Sequence, residues 1–202
     1  MYSVSKLNSS LGTLYSNFVN INQQLTEKQF VSHFKSEPIS IFFDRQTHKK
    51  LIYTKTEETL KYNTNKWNSK FIVCGLTNSL TVIDVDDINT EACQKMLPLL
   101  FEEASSFVRT KRGYHFYFIY NEKLISRSGG KLGYDILNNN SNVIAPSSSY
   151  VDCDDELITY QLYVHECALD DFNSNNISFT EISEELINLI NGYETLQPKK
   201  KK

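Results

Sequence analysis

Apolar and polar residues alternate over short distances in the middle of the chain, and this pattern predicts a sheet of short strands. Residues 80–85 form an apolar run that ends in acidic residues, and residues 132–137 and 159–164 read as two further strands. Residues 107–109 and 114–120 flank a tight turn at 111–113, which predicts a β-hairpin. Residues 39–43 predict a short buried strand that residues 51–53 pair with after a polar turn at 44–50.

Helical patterns surround these strands. Apolar spacing predicts two helices between residues 14 and 34, broken near Thr26. A third helix is predicted from about Thr90 through Phe101, kinked by Pro98, between two strands, as in a split βαβ unit. Residues 178–181 have the form of a capping box that opens a last helix, which runs through residue 190 and ends at Gly192. Residues 71–74 are expected to form a hairpin with residues 80–85, with residues 77–79 at its tip.

Two carboxylates close the apolar run. Asp84 and Asp86 are one residue apart, so on a strand they point to the same side, about 6.6 Å apart along the backbone. Two anions held this close repel unless a cation lies between them, and hard divalent ions such as Mg²⁺ prefer carboxylate oxygens. The pair therefore indicates a metal site that serves phosphate chemistry. The alternative is that both acids only solvate or cap the end of the strand.

Basic residues occupy the hairpin turn. Lys111 and Arg112 lie beside Gly113, which lets a ligand approach the backbone, and His115 follows just inside the next strand. This combination predicts a cradle for a triphosphate. The alternative is a charged hairpin tip whose histidine bonds to a neighbouring backbone group.

Asp135 interrupts an otherwise apolar strand. A buried carboxylate is costly unless it is paired or bound to a metal. If Asp135 lies beside Asp84 and Asp86, the three acids complete a two-metal site, with His115 next to the incoming phosphates. The alternative is that Asp135 caps the polar loop that follows it.

These motifs, taken in order, carry a family resemblance. Asp-x-Asp on an apolar strand is followed by Thr-x-x-Gly-Tyr-His-x-Tyr-Phe, and then by Tyr-Asp-Ile and Val-Ile-Ala-Pro-Ser-Ser. Over residues 66–163 the chain resembles the primase-polymerase domain of the archaeo-eukaryotic primase superfamily. It is similar in particular to the N-terminal domain of viral and plasmid primase-helicase proteins.

The resemblance implies an activity, a fold and a set of residue roles. It implies a DNA primase or primase-polymerase, a nucleotidyltransferase that makes primers from nucleoside triphosphates on a single-stranded DNA template. The implied fold is an α/β (α+β) domain with a mixed or antiparallel, RRM-like sheet flanked by helices. Asp84, Asp86 and Asp135 match the catalytic acids that bind two Mg²⁺ or Mn²⁺ ions, and His115 matches the histidine that contacts the triphosphate. A replicative helicase, fused or separate, is the implied partner.

The hairpin turn departs from the family pattern. Many relatives have a small hydroxyl residue and a second glycine before the histidine, whereas Lys111 and Arg112 stand there in this chain and only Gly113 matches. We assign these three residues to nucleotide binding together with His115. Arg112 then supplies charge where the hydroxyl of the relatives supplies a hydrogen bond.

Length and composition favour one compact unit. The chain has 202 residues and 40% hydrophobic content. We expect an N-terminal accessory part (1–65), a catalytic core (66–192) and a flexible basic tail or linker (193–202). The sequence has no membrane-length apolar stretch and no secretory signal, so we expect an intracellular protein, in the cytoplasm or nucleus of a host or virus-infected cell.

Net charge and cysteines add two observations. A formal charge of −3 is unusual for a nucleic-acid-binding protein, but the acids are partly concentrated in the metal site and at residues 152–156, which leaves room for a local basic groove of Lys111, Arg112, Arg127 and Lys131. The four cysteines are expected to be free thiols, since an alternative zinc site at residues 153 and 165–167 has irregular spacing.

Two other functions fit the same residues. One is an inactive replication-initiation module that binds single-stranded nucleic acid through its aromatic strand, residues 114–120. The other is a metal-dependent nuclease, because acids on neighbouring strands also serve hydrolysis.

Overall fold

The centre of the fold is an antiparallel sheet. The computed structural model describes residues 15–21, 34, 39–44, 49–52, 69–128, 130–151, 156–173 and 177–195. Within these residues, seven strands form the largest sheet, and each strand is antiparallel to its neighbours. In spatial order they are β1 (Phe18–Asn20), β13 (Gln161–His165), β6 (Ser106–Arg109), β7 (Tyr114–Ile119), β5 (Leu80–Val85), β9 (Tyr134–Leu137) and β8 (Arg127–Ser128).

Smaller sheets and helices complete the described part of the chain. A four-stranded sheet contains β10 (Asn142–Ile144), β4 (Ser69–Val73), β2 (Ile39–Asp44) and β3 (Lys49–Ile52), and β11 (Ser149–Val151) pairs with β12 (Leu157–Thr159). The helices are α1 (Glu91–Glu103), α2 (Leu169–Asn173) and α3 (Glu184–Thr195). The predicted α+β class with an antiparallel sheet is therefore confirmed. No helix among the described residues combines the length and apolar character that crossing a membrane requires.

The split βαβ unit is present as predicted. Strands β5 and β6 lie on either side of β7 and are both antiparallel to it, so they are parallel to each other, and α1 connects them. The helix begins after Thr90, whose hydroxyl accepts a hydrogen bond from the backbone N–H of Cys93 at 3.2 Å. This cap satisfies one of the N–H groups that the first helical turn leaves without a partner.

Two apolar clusters lie on opposite faces of the large sheet. The first joins the sheet to α1 and α3, and the second joins its other face to β4, β10 and α2. Strand β5 shows the alternation directly, because Ile83 and Val85 belong to the first cluster while Leu80 and Val82 belong to the second. Side chains on a strand alternate between faces, so Asp84 lies on the face of Val82, away from the helices.

The first predicted helix is wrong. Residues 18–20 form strand β1, with Phe18 opposite His165 and Asn20 opposite Tyr163 on β13. The apolar spacing of this segment is compatible with a helix, but pairing with a strand more than 140 residues later determines its conformation. The second helix predicted in this region falls largely on residues 22–33, which lie outside the described residues.

The predicted hairpin between residues 71–74 and 80–85 is also wrong. Strand β4 pairs with β10 and β2 in the smaller sheet, whereas β5 has β7 and β9 on its two edges and so has no edge left for β4. The chain changes sheets at Gly75, which has a φ of +113° and forms a single antiparallel bridge with Leu80. Glycine is suited to this backbone conformation because it has no Cβ.

The last helix begins later than predicted. Its first turn is capped by Ser183, whose hydroxyl accepts from the N–H of Leu186 at 3.1 Å and donates to Glu103 at 2.5 Å. The helix also continues through Gly192 to Thr195. The single strand predicted at 159–164 is interrupted at Tyr160: Thr159 is the last residue of β12, and Gln161 is the first residue of β13. The β2–β3 hairpin agrees with prediction, and the proposed domain boundary at residue 66 stays a prediction.

Candidate active site

Three of the predicted site residues form one row across adjacent strands. On β5, Asp84 lies opposite His115 of β7 on one side and opposite Asp135 of β9 on the other side. Directly opposed residues of an antiparallel pair share a face, with Cβ atoms about 4.5–5.5 Å apart. The row therefore gathers two carboxylates and an imidazole on the face of the sheet away from α1 and α3.

Asp84 and His115 are in close contact in the middle of this row. Oδ1 of Asp84 lies 3.4 Å from Nε2 of His115, and the side chains are 19% and 6% exposed. The pair lies at the floor of the site, where water has little access.

Asp86 lies just beyond the end of β5 on the same side. The backbone N–H groups of Asp86 and Asp87 both donate to the carbonyl of Gly133, at 2.9 Å each. Gly133 has a φ of +81°, and an added Cβ would lie 2.7 Å from the Asp87 carbonyl oxygen. Because Gly133 is two residues before Asp135, this contact ties the end of β5 to the strand that carries the third acid.

The Asp86 carboxylate forms an ion pair with the hairpin turn. Its Oδ1 lies 2.7 Å from a terminal nitrogen of Arg112, and the two side chains are 41% and 72% exposed. Exposed ion pairs contribute little, about 0–1 kcal/mol. A competing ligand can therefore displace Arg112 from Asp86 at small cost, whereas a buried counter-ion would hold the carboxylate permanently.

Gly113 is required by the approach of two strands. A Cβ on Gly113 would lie 1.8 Å from the carbonyl oxygen of Val85, which no real contact permits. The side chain of Thr110 accepts hydrogen bonds from the N–H groups of Arg112 at 3.3 Å and of Gly113 at 3.0 Å. Gly113 is predicted from the sequence to let a ligand approach the backbone, and the structure adds a steric reason for a glycine here within the fold.

The row and the turn line one cleft. The cleft has a volume of about 590 Å³, within the range of about 300–1,000 Å³ for small-molecule sites. We call it the acidic cleft, because Asp84, Asp86 and Asp135 all line it. Its other lining residues come from the turn, from both sheets and from Tyr160: Thr110, Lys111, Arg112, His115, Leu137, Ser141, Asn142, Phe71, Val143 and Ile144.

Only two of the four cations proposed for a basic groove line this cleft. Lys111 lies 3.9 Å from Glu156, and Arg112 contacts Asp86. Arg127 instead donates to the hydroxyl of Tyr134 at 2.8 Å, opposite Ile136 and so on the helix side of the sheet, and Lys131 lies in an exposed turn. The prediction of a groove formed by all four cations is therefore wrong, because strand alternation places Arg127 on the face of the sheet opposite the acids.

Tyr160 is a site residue that sequence patterns missed. Its ring centroid lies 5.5 Å from that of His115, and its side chain is buried against the row. Tyr160 stands at the break between two short strands, where alternation does not indicate which side a residue faces. The sequence signal that could have found it is the aromatic residue at that break.

The charge of Asp84 acts on two buried neighbours. Burial and then Asp84 raise the pKa of the Cys74 thiol, and burial, Cys74 and Asp84 raise the pKa of the Tyr117 hydroxyl. Both groups therefore stay protonated at neutral pH. A buried, protonated thiol is a poor nucleophile, so Cys74 does not supply covalent chemistry at this site.

The donor chemistry of the acidic cleft fits a hard divalent cation. Three carboxylates face it, and carboxylate oxygens are the ligands that Mg²⁺ and Mn²⁺ prefer. In the part of the chain that the structure describes, however, no three His, Cys, Asp or Glu side chains are already gathered as a ligand group. The alternative zinc site has His165 Nδ1 3.0 Å from the sulfur of Cys167, and Cys153 lies outside the described residues.

One of three comparisons with known proteins gives a match. No curated protein and no solved structure matches the chain significantly. The family model described as the bifunctional DNA primase/polymerase N-terminal domain matches residues 32–169, which is more than half of the 202 residues and includes all seven predicted site residues. The chain therefore belongs to the bifunctional DNA primase/polymerase (Prim-Pol) family.

Proposed function

We propose that the protein is a metal-dependent DNA primase or primase-polymerase that joins nucleotides on a single-stranded DNA template. The observation that carries this proposal is the row of Asp84, His115 and Asp135 on three adjacent strands, facing one cleft of suitable size. Membership of the primase/polymerase family makes nucleotidyl transfer the reaction to expect at such a row.

The three acids would hold the metal. Asp84, Asp86 and Asp135 offer carboxylate oxygens from two strands and a strand end. A Mg²⁺ or Mn²⁺ ion held by these carboxylates would lower the pKa of the attacking hydroxyl and stabilise the charge on the departing phosphate. Binding also offsets the repulsion between carboxylates that share one cleft.

The remaining residues position the nucleotide. In nucleotidyl transfer the 3′-hydroxyl oxygen bonds to the α-phosphorus, the bond to the bridging oxygen breaks, pyrophosphate leaves, and the hydroxyl proton passes to solvent. Lys111 and Arg112 are exposed at the rim of the cleft and can bind phosphate oxygens, while His115 donates to the triphosphate from the floor. Positioning and electrostatics of this kind supply most of the acceleration in phosphoryl transfer.

A primer-synthesis assay tests the proposal. The full chain is incubated with an unprimed or primed single-stranded template, ribo- or deoxyribonucleotides and Mn²⁺, and products are resolved by length. Wild-type protein should extend the strand. Asp84→Asn should reduce the rate by at least about 100-fold, since it removes a charge at the centre of the site.

The matched control is Asp87→Asn. Asp87 follows Asp86 directly but is exposed, does not line the acidic cleft, and accepts from the N–H of Asn89 through an oxygen that asparagine retains. This variant should keep extension within about threefold of wild type. Equal activity of wild type and Asp84→Asn would refute the site. Cleavage of the template would support the nuclease alternative, and retention without new products would support the inactive binding module.

A replicative helicase, fused or separate, is the partner that we propose for a primase of this kind. A pull-down with the full chain as bait and a purified replicative helicase as prey tests this partner, and no co-elution would count against it.

A further inference from the structure

A second cleft lies at the same end of the large sheet, on the opposite side of the hairpin turn. It has a volume of about 360 Å³ and is lined by Tyr15, Arg109 and Tyr114 together with the turn residues Lys111 and Arg112. We call it the basic cleft. Its volume is at the lower end of the range of about 300–1,000 Å³ for small-molecule sites.

The two clefts lie on opposite faces of the sheet. Arg109 of β6 pairs with Tyr114 of β7, so both side chains share a face, and Tyr114 belongs to the cluster that contains Phe101 of α1. The next residue, His115, points to the other face and lines the acidic cleft. The turn residues line both clefts, so they connect the two sites across the end of the sheet.

The charges of the two clefts are complementary. The acidic cleft has three carboxylates, whereas the basic cleft is lined by three cations and by no acidic side chain. Lys111 and Arg112 have carboxylates near them, Glu156 and Asp86. No carboxylate among the described residues forms an ion pair with Arg109, so its charge is available to an anion.

Hydroxyl donors lie beside this cation. Tyr114 is 9% exposed, and burial is the main reason that its pKa is raised to about 12. The hydroxyl therefore stays protonated at neutral pH, and because it shares a hydrogen bond with the hydroxyl of Tyr15, the pair keeps one O–H group that can donate to a phosphate oxygen. A guanidinium next to phenolic hydroxyls is a combination that commonly contacts the phosphates of nucleic acids.

We propose that the basic cleft binds a phosphodiester group of single-stranded DNA, and that the strand crosses the hairpin turn to reach the acidic cleft. This inference rests on the proposed function in one respect, the choice of a DNA strand as the source of the phosphate. The same chemistry could recognise the triphosphate of a nucleotide, and the experiment separates these two sources.

The experiment measures binding without catalysis. Full-length protein is titrated against a fluorescent oligothymidylate, without metal or nucleotide, from about 50 mM to about 300 mM salt. Arg109→Gln should make the slope of log K against log salt less negative by about 0.7, the value for one phosphate contact to a single strand. If that contact contributes nothing at 1 M salt, its loss raises Kd about eightfold at 50 mM salt. Arg109→Lys keeps the charge and should restore most of the slope.

The matched control is Lys131→Gln, which removes an exposed cation that lines neither cleft. It should bind the oligonucleotide as wild type does. A parallel titration with a fluorescent nucleoside triphosphate in Ca²⁺, which permits binding without turnover, should give equal Kd values for wild type and Arg109→Gln.

Two results would overturn the inference. One is an unchanged salt slope for Arg109→Gln in protein that melts at the wild-type temperature, and the other is weaker nucleotide binding with unchanged DNA binding. Failure of the proposed function would give a different result. If wild-type protein makes no primers but Arg109→Gln still weakens DNA binding, the basic cleft stands without the polymerase activity. Conversely, primer synthesis with unaltered DNA binding by the variant refutes the basic cleft alone.

Discussion

At the scale of single residues, Arg112 stands between two possible partners. Its guanidinium contacts Asp86 in the structure, yet it also lines a cleft where phosphate groups are expected. Because a metal ion and Arg112 need the same carboxylate, each should weaken the binding of the other. Entry of the metal would then release Arg112 towards the phosphates of the nucleotide.

Arg112→Gln should therefore tighten the binding of Mn²⁺ to the nucleotide-free protein. An exposed ion pair contributes about 0.2–1 kcal/mol, so the expected decrease in Kd for Mn²⁺ is about 1.4- to 5-fold. Isothermal titration calorimetry measures it directly. The control is Lys95→Gln, which removes another exposed cation that pairs with Glu91 at 2.8 Å on α1, on the face of the sheet opposite the acids. A Kd for Mn²⁺ that is the same in wild type and Arg112→Gln would contradict the competition.

Part of this site could be predicted because its signals are local. Asp84 and Asp86 share a face by strand alternation, and Asp135 and His115 interrupt recognisable strands in the family order. The contact between Asp86 and Arg112 could not be predicted, because it depends on how the hairpin turn leans over the end of β5. The role of Gly133 could not be predicted for the same reason, since it comes from a backbone contact with a loop more than 40 residues earlier.

At the scale of elements, the end of β5 is the part that places the acids. It is held on one side by the carbonyl of Gly133 and on the other by the hairpin turn, which approaches so closely that Gly113 has no room for a side chain. The approach of backbone to backbone leaves no flexible group that could move aside. The position of the turn over the acidic cleft therefore depends on this glycine.

Gly113→Ala should destabilise the fold by about 1–3 kcal/mol, as expected for overpacking at a buried position. The free energy of unfolding in urea measures this change. Gly192→Ala is the matched control, because an added Cβ there meets no atom within 4 Å and the residue lies inside α3. It should stabilise the protein by about 0.5–1 kcal/mol, since alanine favours a helix over glycine. Changes of the same sign in both variants would argue against the steric explanation.

Elements with strong local patterns were predicted, and those decided by distant partners were not. Strands β5 and β7 and helix α1 follow from apolar runs, alternation and the Thr90 cap. Strand β1 was missed because β13 supplies its hydrogen-bond partners from the far end of the chain. The start of α3 moved to Ser183 because that residue reaches Glu103, and Ser178 has no equivalent role as a cap.

At the scale of the whole molecule, the large sheet separates two apolar clusters, and each cluster buries a thiol. Cys93 lies on α1, in the cluster on the helix side of the sheet, and Cys74 lies in the cluster on the side of the acidic cleft, and both are fully buried. Burial is the main reason that the pKa of Cys93 is raised from 9.0 to about 11, and it also raises the pKa of Cys74. The fold thus favours the protonated form of both thiols.

Stability should therefore fall in alkaline solution. A raised folded-state pKa means that the stabilising contribution is complete below pH 9 and is lost as the pH rises towards 11, because the unfolded chain releases its thiol protons first. Each thiol can contribute a slope of up to about 1.4 kcal/mol per pH unit. Urea unfolding under reducing conditions at pH 8 and pH 10 measures the decline.

A variant with Cys74→Ala and Cys93→Ala provides the comparison. It should be less stable than wild type at pH 8, because both substitutions leave small cavities, but its decline between pH 8 and pH 10 should be smaller. An equal decline in both proteins would assign the alkaline sensitivity to other groups, such as the buried tyrosines.

Because β5 lies inside the sheet, its side chains alternate between the face of the acidic cleft and the face of the helices. Both edges of the strand are paired, one face packs against helices, and the other carries Asp84. A shift of the strand register by one residue would place the Asp84 carboxylate in the apolar cluster under the helices and bring Ile83 or Val85 to the cleft. Substitutions along this strand can be graded in their effects, but an insertion or deletion of a single residue reverses every side chain beyond it. We therefore expect insertions and deletions in this region to be tolerated in the turns alone, where side chains do not alternate between the two faces of a sheet.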